Sequence, residues 1–138
     1  MPLTILHITA GLHPASGGPS RTVAHLTDAL AALPGLAVTL LTQSPAGAST
    51  VPSANPAVTR RVLAAASPWA LKLGNPVRQA LAAWPRSARP ALLHGHGLWT
   101  AVNHWTARAA RRWDCTLILH PRGMLETWAI QHTGGKKR

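Results

Sequence analysis

Apolar residues fall along the chain in two alternating rhythms, short continuous runs and stretches with one apolar face, and the alternation predicts the elements. Residues 3–8, LTILHI, are a short apolar run closed by Gly11 and read as a buried strand. Val23, Leu26, Leu30 and Leu33 recur at three- and four-residue intervals, which places them on one face of a helix over residues 21–33. Ser20 is the expected N-cap and the Pro34-Gly35 pair the stop. LAVTLLT at 36–42 is a second, β-branched strand. A strand, a helix and a strand in this order imply a right-handed crossover between parallel neighbours.

Residues 43–55 are rich in Pro, Ser, Gly and Ala and read as a long loop, with a weak strand at 58–63. A helix over 71–84 is interrupted by Gly74, Asn75 and Pro76 and ends before Pro85. Residues 91–94 form a third clear strand, 103–113 an Ala- and Arg-rich helix, and 116–120 a fourth clear strand closed by Pro121. Cys115 is expected inside that last buried strand. Near-continuous apolar strands separated by helices define an α/β fold, a parallel sheet covered by helices on both faces, in one domain over residues 1–138. Ligands of such sheets bind beyond the carboxyl ends of the strands. The unusual clusters at 11–18, 94–99 and 120–123 each follow a strand, so they are expected to converge on one rim.

Composition sharpens this picture in three places. A hydrophobic content of 46% in 138 residues is enough for one real core, and with no Phe or Tyr the aromatic burial falls to six Trp. The single Cys115 excludes an internal disulfide and a cysteine metal cluster, which fits a reducing, cytoplasmic setting. The first residues, MPLTILHITAG, have neither the basic start nor the apolar run of a signal peptide, and no run approaches the ~20 apolar residues of a membrane span. Fourteen Lys and Arg against Asp28, Asp114 and Glu126 give a formal net charge of +11. That sign fits nucleic acid, an anionic membrane surface or a phosphorylated small substrate. Because the basic residues are spread out, an Ala-, Arg- and Pro-rich composition accounts for much of the excess without a partner.

Three clusters could carry chemistry. Gly17 and Gly18 precede a helix N-terminus, where they permit either a simple turn or close approach of a phosphate to main-chain N–H groups. The stretch is neither a G-x-G-x-x-G nor a P-loop. His94 and His96 alternate on a strand and share a face. A metal would need further ligands, for which His104, His120 or His132 could be invoked, but no recognised spacing is present. No metal is therefore expected, and the pair reads as a polar strand end with one ring in the interior and one toward the cleft. In LHPRGMLETWA, Pro121 stops the strand, Arg122 offers a bidentate fork for phosphate or carboxylate, Gly123 allows the turn and Glu126 opens a helix. Met124, Leu125 and Trp128 read as packing residues. Only Glu126 lies near this rim, which disfavours hydrolysis by paired carboxylates, and no G-x-S-x-G elbow supports a serine triad. His120 or His96 is the candidate base or substrate-orienting group.

HITAGLHPASGGPSRTVAHLTDALAALPGLAVTLLT together with HGHGLWTAVNHWTARAARRWDCTLILHPRGMLETWAIQHTGGKKR resembles the N-terminal half of a family 4 type, two-domain (GT-B) glycosyltransferase, over about two-thirds of the chain. The resemblance rests on the Gly-Gly loop, HGLW at 96–99 and PRGMLE at 121–126 in this order. It implies a Rossmann-like acceptor-side half that shares a cleft with a second half binding a nucleotide-sugar, and a retaining transfer to a glycan or lipid-linked acceptor in polysaccharide assembly. It places Gly17 and Gly18 near the donor diphosphate, and a functional His at His120, where many relatives carrying PRGML have Ser; Arg122 would then balance anionic charge or hold the loop, and His96 or His120 orient the acceptor. No cofactor is implied beyond the nucleotide-sugar, which is a substrate. The setting implied is cytoplasmic or peripheral at the inner face of the cell membrane. The family's donor-binding carboxylates belong to the second half, so the resemblance implies an incomplete fold, a truncated chain that is inactive alone. A rival reading is a basic module that engages nucleic acid or, more readily, an anionic membrane through Arg108, Arg111, Arg112, Lys136, Lys137 and Arg138. A third is a remnant without function.

Overall fold

The first apolar run is the middle of the sheet. A computed structural model describes residues 1–133, in which β1 (Leu3–Thr9) lies between β2 (Leu36–Pro45) and β4 (Leu92–His96). β3 (Thr59–Ala65) and β5 (Thr116–His120) form the two edges, giving the order β3-β2-β1-β4-β5 with every pairing parallel. The fold is α/β and Rossmann-like, as the run-and-face pattern predicts.

Alternation along the central strands sorts their side chains onto two faces. Leu6, Ile8, Leu41 and Leu93 point to one face and pack with Val77 and Leu81 of α3 (Asn75–Ala82) and with Val102, Ala109, Ala110 and Trp113 of α4 (Ala101–Trp113). Full burial of each Leu, Ile or Val among these contributes roughly 1.5–3 kcal/mol. On the other face Leu40 packs with Leu12, Val58 and Val23 of α1 (Gly18–Ala31). α2 (Pro68–Lys72), capped by Ser67, adjoins β2, where buried Gln43 donates through Nε2 to the Leu71 carbonyl at 2.7 Å.

Several boundaries differ from expectation for local reasons. α1 begins at Gly18, with Gly17 as N-cap and Pro19 in its first turn, so Ser20 is buried inside the helix and caps nothing. Pro pre-set at a helix start outweighs the hydroxyl signal of the residue after it. The 71–84 stretch is two short helices, and Gly74, left-handed at φ 65°, is the joint. The loop after β2 is ordered by Asp28 of α1. Its carboxylate accepts hydrogen bonds from the Ser53 hydroxyl and the Ala54 and Asn55 amides, while Asn55 Nδ2 returns one to the Asp28 carbonyl. Burial pushes this carboxyl's pKa up, and the three bonds outweigh it, leaving the group below its ordinary value.

The α1 face is not covered along its whole width. Among the described residues no helix packs on β4 and β5 there, and Ile118 on this face is 44% exposed; Leu119, on the α4 face of the same edge strand, is 42% exposed. β5 is thus largely exposed rather than buried as its apolar run suggests, and Cys115 sits half-buried just before the strand rather than within it. Burial and the neighbouring Asp114 charge push its thiol pKa up, which makes it a poor nucleophile. Leu125 and Trp128, 53% and 65% exposed, are not packing residues either. None of the described helices is long and apolar enough to cross a membrane.

Candidate functional site

Parallel pairing brings the carboxyl ends of β1, β4 and β5 to one edge, and register then decides which side chains meet. His7 pairs with His94, and Thr9 with His96, across β1 and β4; His96 pairs with His120 across β4 and β5. Register partners in a parallel sheet share a face, so His7, His94, His96 and His120 all project from the face that α1 leaves bare beyond β1. Their rings form a tilted stack, with centroids 4.8 Å apart for His7 and His94, 4.2 Å for His94 and His96, and 6.4 Å for His96 and His120.

Arg122 closes the stack. It sits in the Pro121–Met124 turn, whose two central residues have φ of 55° and 76°, the second being Gly123, and whose Met124 amide donates to the Pro121 carbonyl at 3.1 Å. A left-handed Arg costs about 1–2 kcal/mol, and contacts made by the turn offset this. Its Nη2 lies 2.7 Å from His96 Nδ1. Met124 Sδ accepts from the Leu98 amide at 3.0 Å and lies against Gly97, while the Gly97 amide donates to the His120 carbonyl at 2.8 Å. Beyond them a Thr100–Asn103 capping box starts α4, and Asn103 Nδ2 also donates to the His96 carbonyl. The rim after β4 and β5 is therefore one bonded unit.

Hydrogen-bond polarity fixes the tautomers along this chain. A guanidinium can only donate, so His96 Nδ1 is the bare nitrogen and Nε2 carries the proton. His96 Nε2 then donates to His7 Nδ1 at 3.0 Å, which leaves the His7 proton on Nε2. His7 Nε2, His94 Nε2 and Arg122 Nε are buried and have no hydrogen-bond partner among the described residues. His7 is fully buried and His96 3% exposed. Burial, then the charges of His94 and Arg122, hold the His7 pKa down to about 4. Burial first, and then the neighbouring His94, His7, Arg122 and His120 charges, hold His96 down to about 2. His94 is lowered by burial, then by Arg122 and His120, and Arg122 itself is lowered by burial.

The sequence-predicted groups thus divide. His96 and Arg122 are in contact, and His120 is exposed beside them at the rim. Arg122 does not present a free fork, because one arm is engaged by His96. Gly17 and Gly18 lie at the same carboxyl edge, between β1 and α1, and a Cβ at either would meet no atom within 4 Å. Gly17 has φ 76° and ψ −145°, a conformation open only to glycine, so it is fixed by the backbone alone. His104 and His132 are elsewhere, on α4 against Trp105 and on α5 (Thr127–Thr133) bonded to the Trp128 carbonyl. The residue that sequence reasoning missed is His7. Its signal was a lone imidazole in the middle of an apolar run, invisible as a partner because 89 residues separate it from His96.

No curated protein matches the chain. The glycosyl transferase 4-like domain matches residues 17–138, which include both glycines, His94, His96, His120 and Arg122 but not His7. With a parallel α/β sheet and a rim built from those matched residues, the chain belongs to the glycosyl transferase 4-like domain family.

Proposed function

We propose that this domain is the acceptor-side half of a retaining glycosyltransferase that moves a sugar from a nucleotide-sugar to a glycan or lipid-linked acceptor in cell-envelope polysaccharide assembly. The observation that carries the reading is the Arg122–His96 contact on the rim where β1, β4 and β5 end. In this reading the open space over Gly17 and Gly18 admits the donor diphosphate to the first-turn amides of α1, and Arg122 balances its charge. His96, with both ring nitrogens engaged, is a positioning residue that aims Arg122, and exposed His120 orients the acceptor. The half by itself offers one wall of a cleft, so water exclusion and leaving-group positioning require a nucleotide-sugar-binding half. The chain alone is inactive on this reading.

The test joins the chain to a nucleotide-sugar-binding domain of the same family and measures sugar transfer from a panel of nucleotide-sugars. Transfer is expected from the combination and not from the chain alone. Arg122→Ala should lower it by roughly 10²-fold or more, the scale of losing one fixed charge-stabilising donor. Undiminished transfer in Arg122→Ala would overturn the role of this rim.

A second surface favours peripheral contact with an anionic membrane. Arg78, Arg108 and Arg112 line a groove between α3 and α4 with Trp105 and Trp113. Its rings are already covered, Trp105 by Arg78 at 5.4 Å and Trp113 by Arg89 at 5.7 Å, so they offer no stacking platform for bases and nucleic acid is disfavoured. The basic residues Lys136, Lys137 and Arg138 lie outside the described residues. Co-sedimentation with anionic but not neutral vesicles, lost in Arg108→Glu/Arg112→Glu, is the expected result.

A further inference from the structure

Three imidazoles meet inside this fold for a reason the proposed transfer reaction does not supply. His7, His94 and His96 each offer one ring nitrogen, and these atoms lie within 4.8 Å of one another, the His7–His96 pair already at 3.0 Å. All three project from adjacent central strands held in register by the β1–β4 ladder, so their backbones cannot drift apart. The half-buried His94 carries a buried nitrogen, Nε2, that no described residue satisfies. Such an orphan costs about 1–3 kcal/mol.

We propose that His7, His94 and His96 form a three-histidine site for a zinc-class divalent ion. The donor set fixes the class: neutral imidazoles suit Zn²⁺, Co²⁺, Ni²⁺ and Cu²⁺, while Mg²⁺ and Ca²⁺ demand oxygen ligands. Nitrogens on a tetrahedral zinc stand about 3.3 Å apart, given bonds of about 2.0–2.1 Å. The three nitrogens lie within 4.8 Å of one another, wider than this, so ligation requires the rings to turn toward a common point.

The same geometry names the competitor. Arg122 holds His96 Nδ1 bare, and its positive charge is 2.7 Å from the ring that would ligate a cation. Ligation through His96 Nε2 needs the proton on Nδ1, which the guanidinium forbids while it is docked. Metal binding and the Arg122–His96 contact therefore exclude one another, and an occupied site would release Arg122 into the cleft.

Untagged protein stripped with EDTA is titrated with Co²⁺, followed by the visible absorption of tetrahedral cobalt, and then with Zn²⁺ in competition. One equivalent is expected, with His94→Gln weakening it by roughly 10–100-fold or more and Arg122→Met tightening it. His7→Gln should act like His94→Gln; should it fail to fold by circular dichroism, the half-exposed His94 still decides. No stoichiometric tetrahedral site, or one that survives in His94→Gln, as adventitious binding to His104 or His132 would, overturns the proposal. The readout needs no sugar transfer, so its failure and that of the proposed function are separate.

Discussion

Lowering the pH from 7.5 to 5 in the presence of EDTA should unfold this domain's stability from the inside. His7 and His96 have folded-state pKa values held down to about 4 and about 2, against an ordinary value near 6.5. The groups facing them, His94, His120 and Arg122, are all cationic or become so on protonation, and none offers a compensating carboxylate. Because both folded values lie below the unfolded one, the unfolded chain takes up protons first as pH falls. The stabilisation is whole above pH 6.5 and is lost progressively below it. At pH 5 the loss is about 2 kcal/mol for each ring, roughly 4 kcal/mol together, since one pH unit is worth about 1.4 kcal/mol per proton. Domains of this kind hold only about 5–15 kcal/mol in total. Asp28, held below its ordinary 3.8, titrates beneath this window and does not confuse it. The assay is urea unfolding followed by tryptophan fluorescence at the two pH values, repeated on His7→Gln, in which the loss should shrink by about half. Stability at pH 5 within about 1 kcal/mol of that at pH 7.5 would refute the buried, neutral relay.

Other perturbations separate fold from function. Gly17→Ala forces a side chain into a glycine-only conformation and should cost about 1–3 kcal/mol in chemical denaturation. Gly18→Val, in open space with no positive φ, should leave stability within about 1 kcal/mol and yet weaken diphosphate binding. Asp28→Ala removes the acceptor for three donors and should cost about 1–2 kcal/mol, with faster proteolysis between residues 50 and 57 as a second readout. Leu93→Ala, in the fully buried centre of β4, should cost about 2–5 kcal/mol and serves as a core control.

The parts legible in the sequence are those set by local pattern. LTILHI, LAVTLLT and TLILH announced their strands because each is a short, β-branched apolar run bounded by turn residues, and the crossover rule then required parallel pairing. That the two glycines, His96 and Arg122 lie at the carboxyl edge of the sheet was legible, because each sits at or just beyond the end of an apolar run. What escaped was nonlocal. His7 joins the cluster only because β1 lies beside β4, and that order is set by packing across 89 residues of chain. The Asp28 clamp escaped for the same reason, joining α1 to a loop twenty-five residues later. TLILH was read as buried, yet exposure at an edge depends on what lies beyond it, which the run itself does not encode.

Binding of inorganic pyrophosphate, mapped by backbone amide NMR on the whole chain, tests the central claim most directly. The account predicts shifts concentrated at Gly17, Gly18, His96 and Arg122, and their loss in Arg122→Ala. Shifts confined to the α3–α4 groove at Arg78, Arg108 and Arg112, with the rim silent, would contradict it.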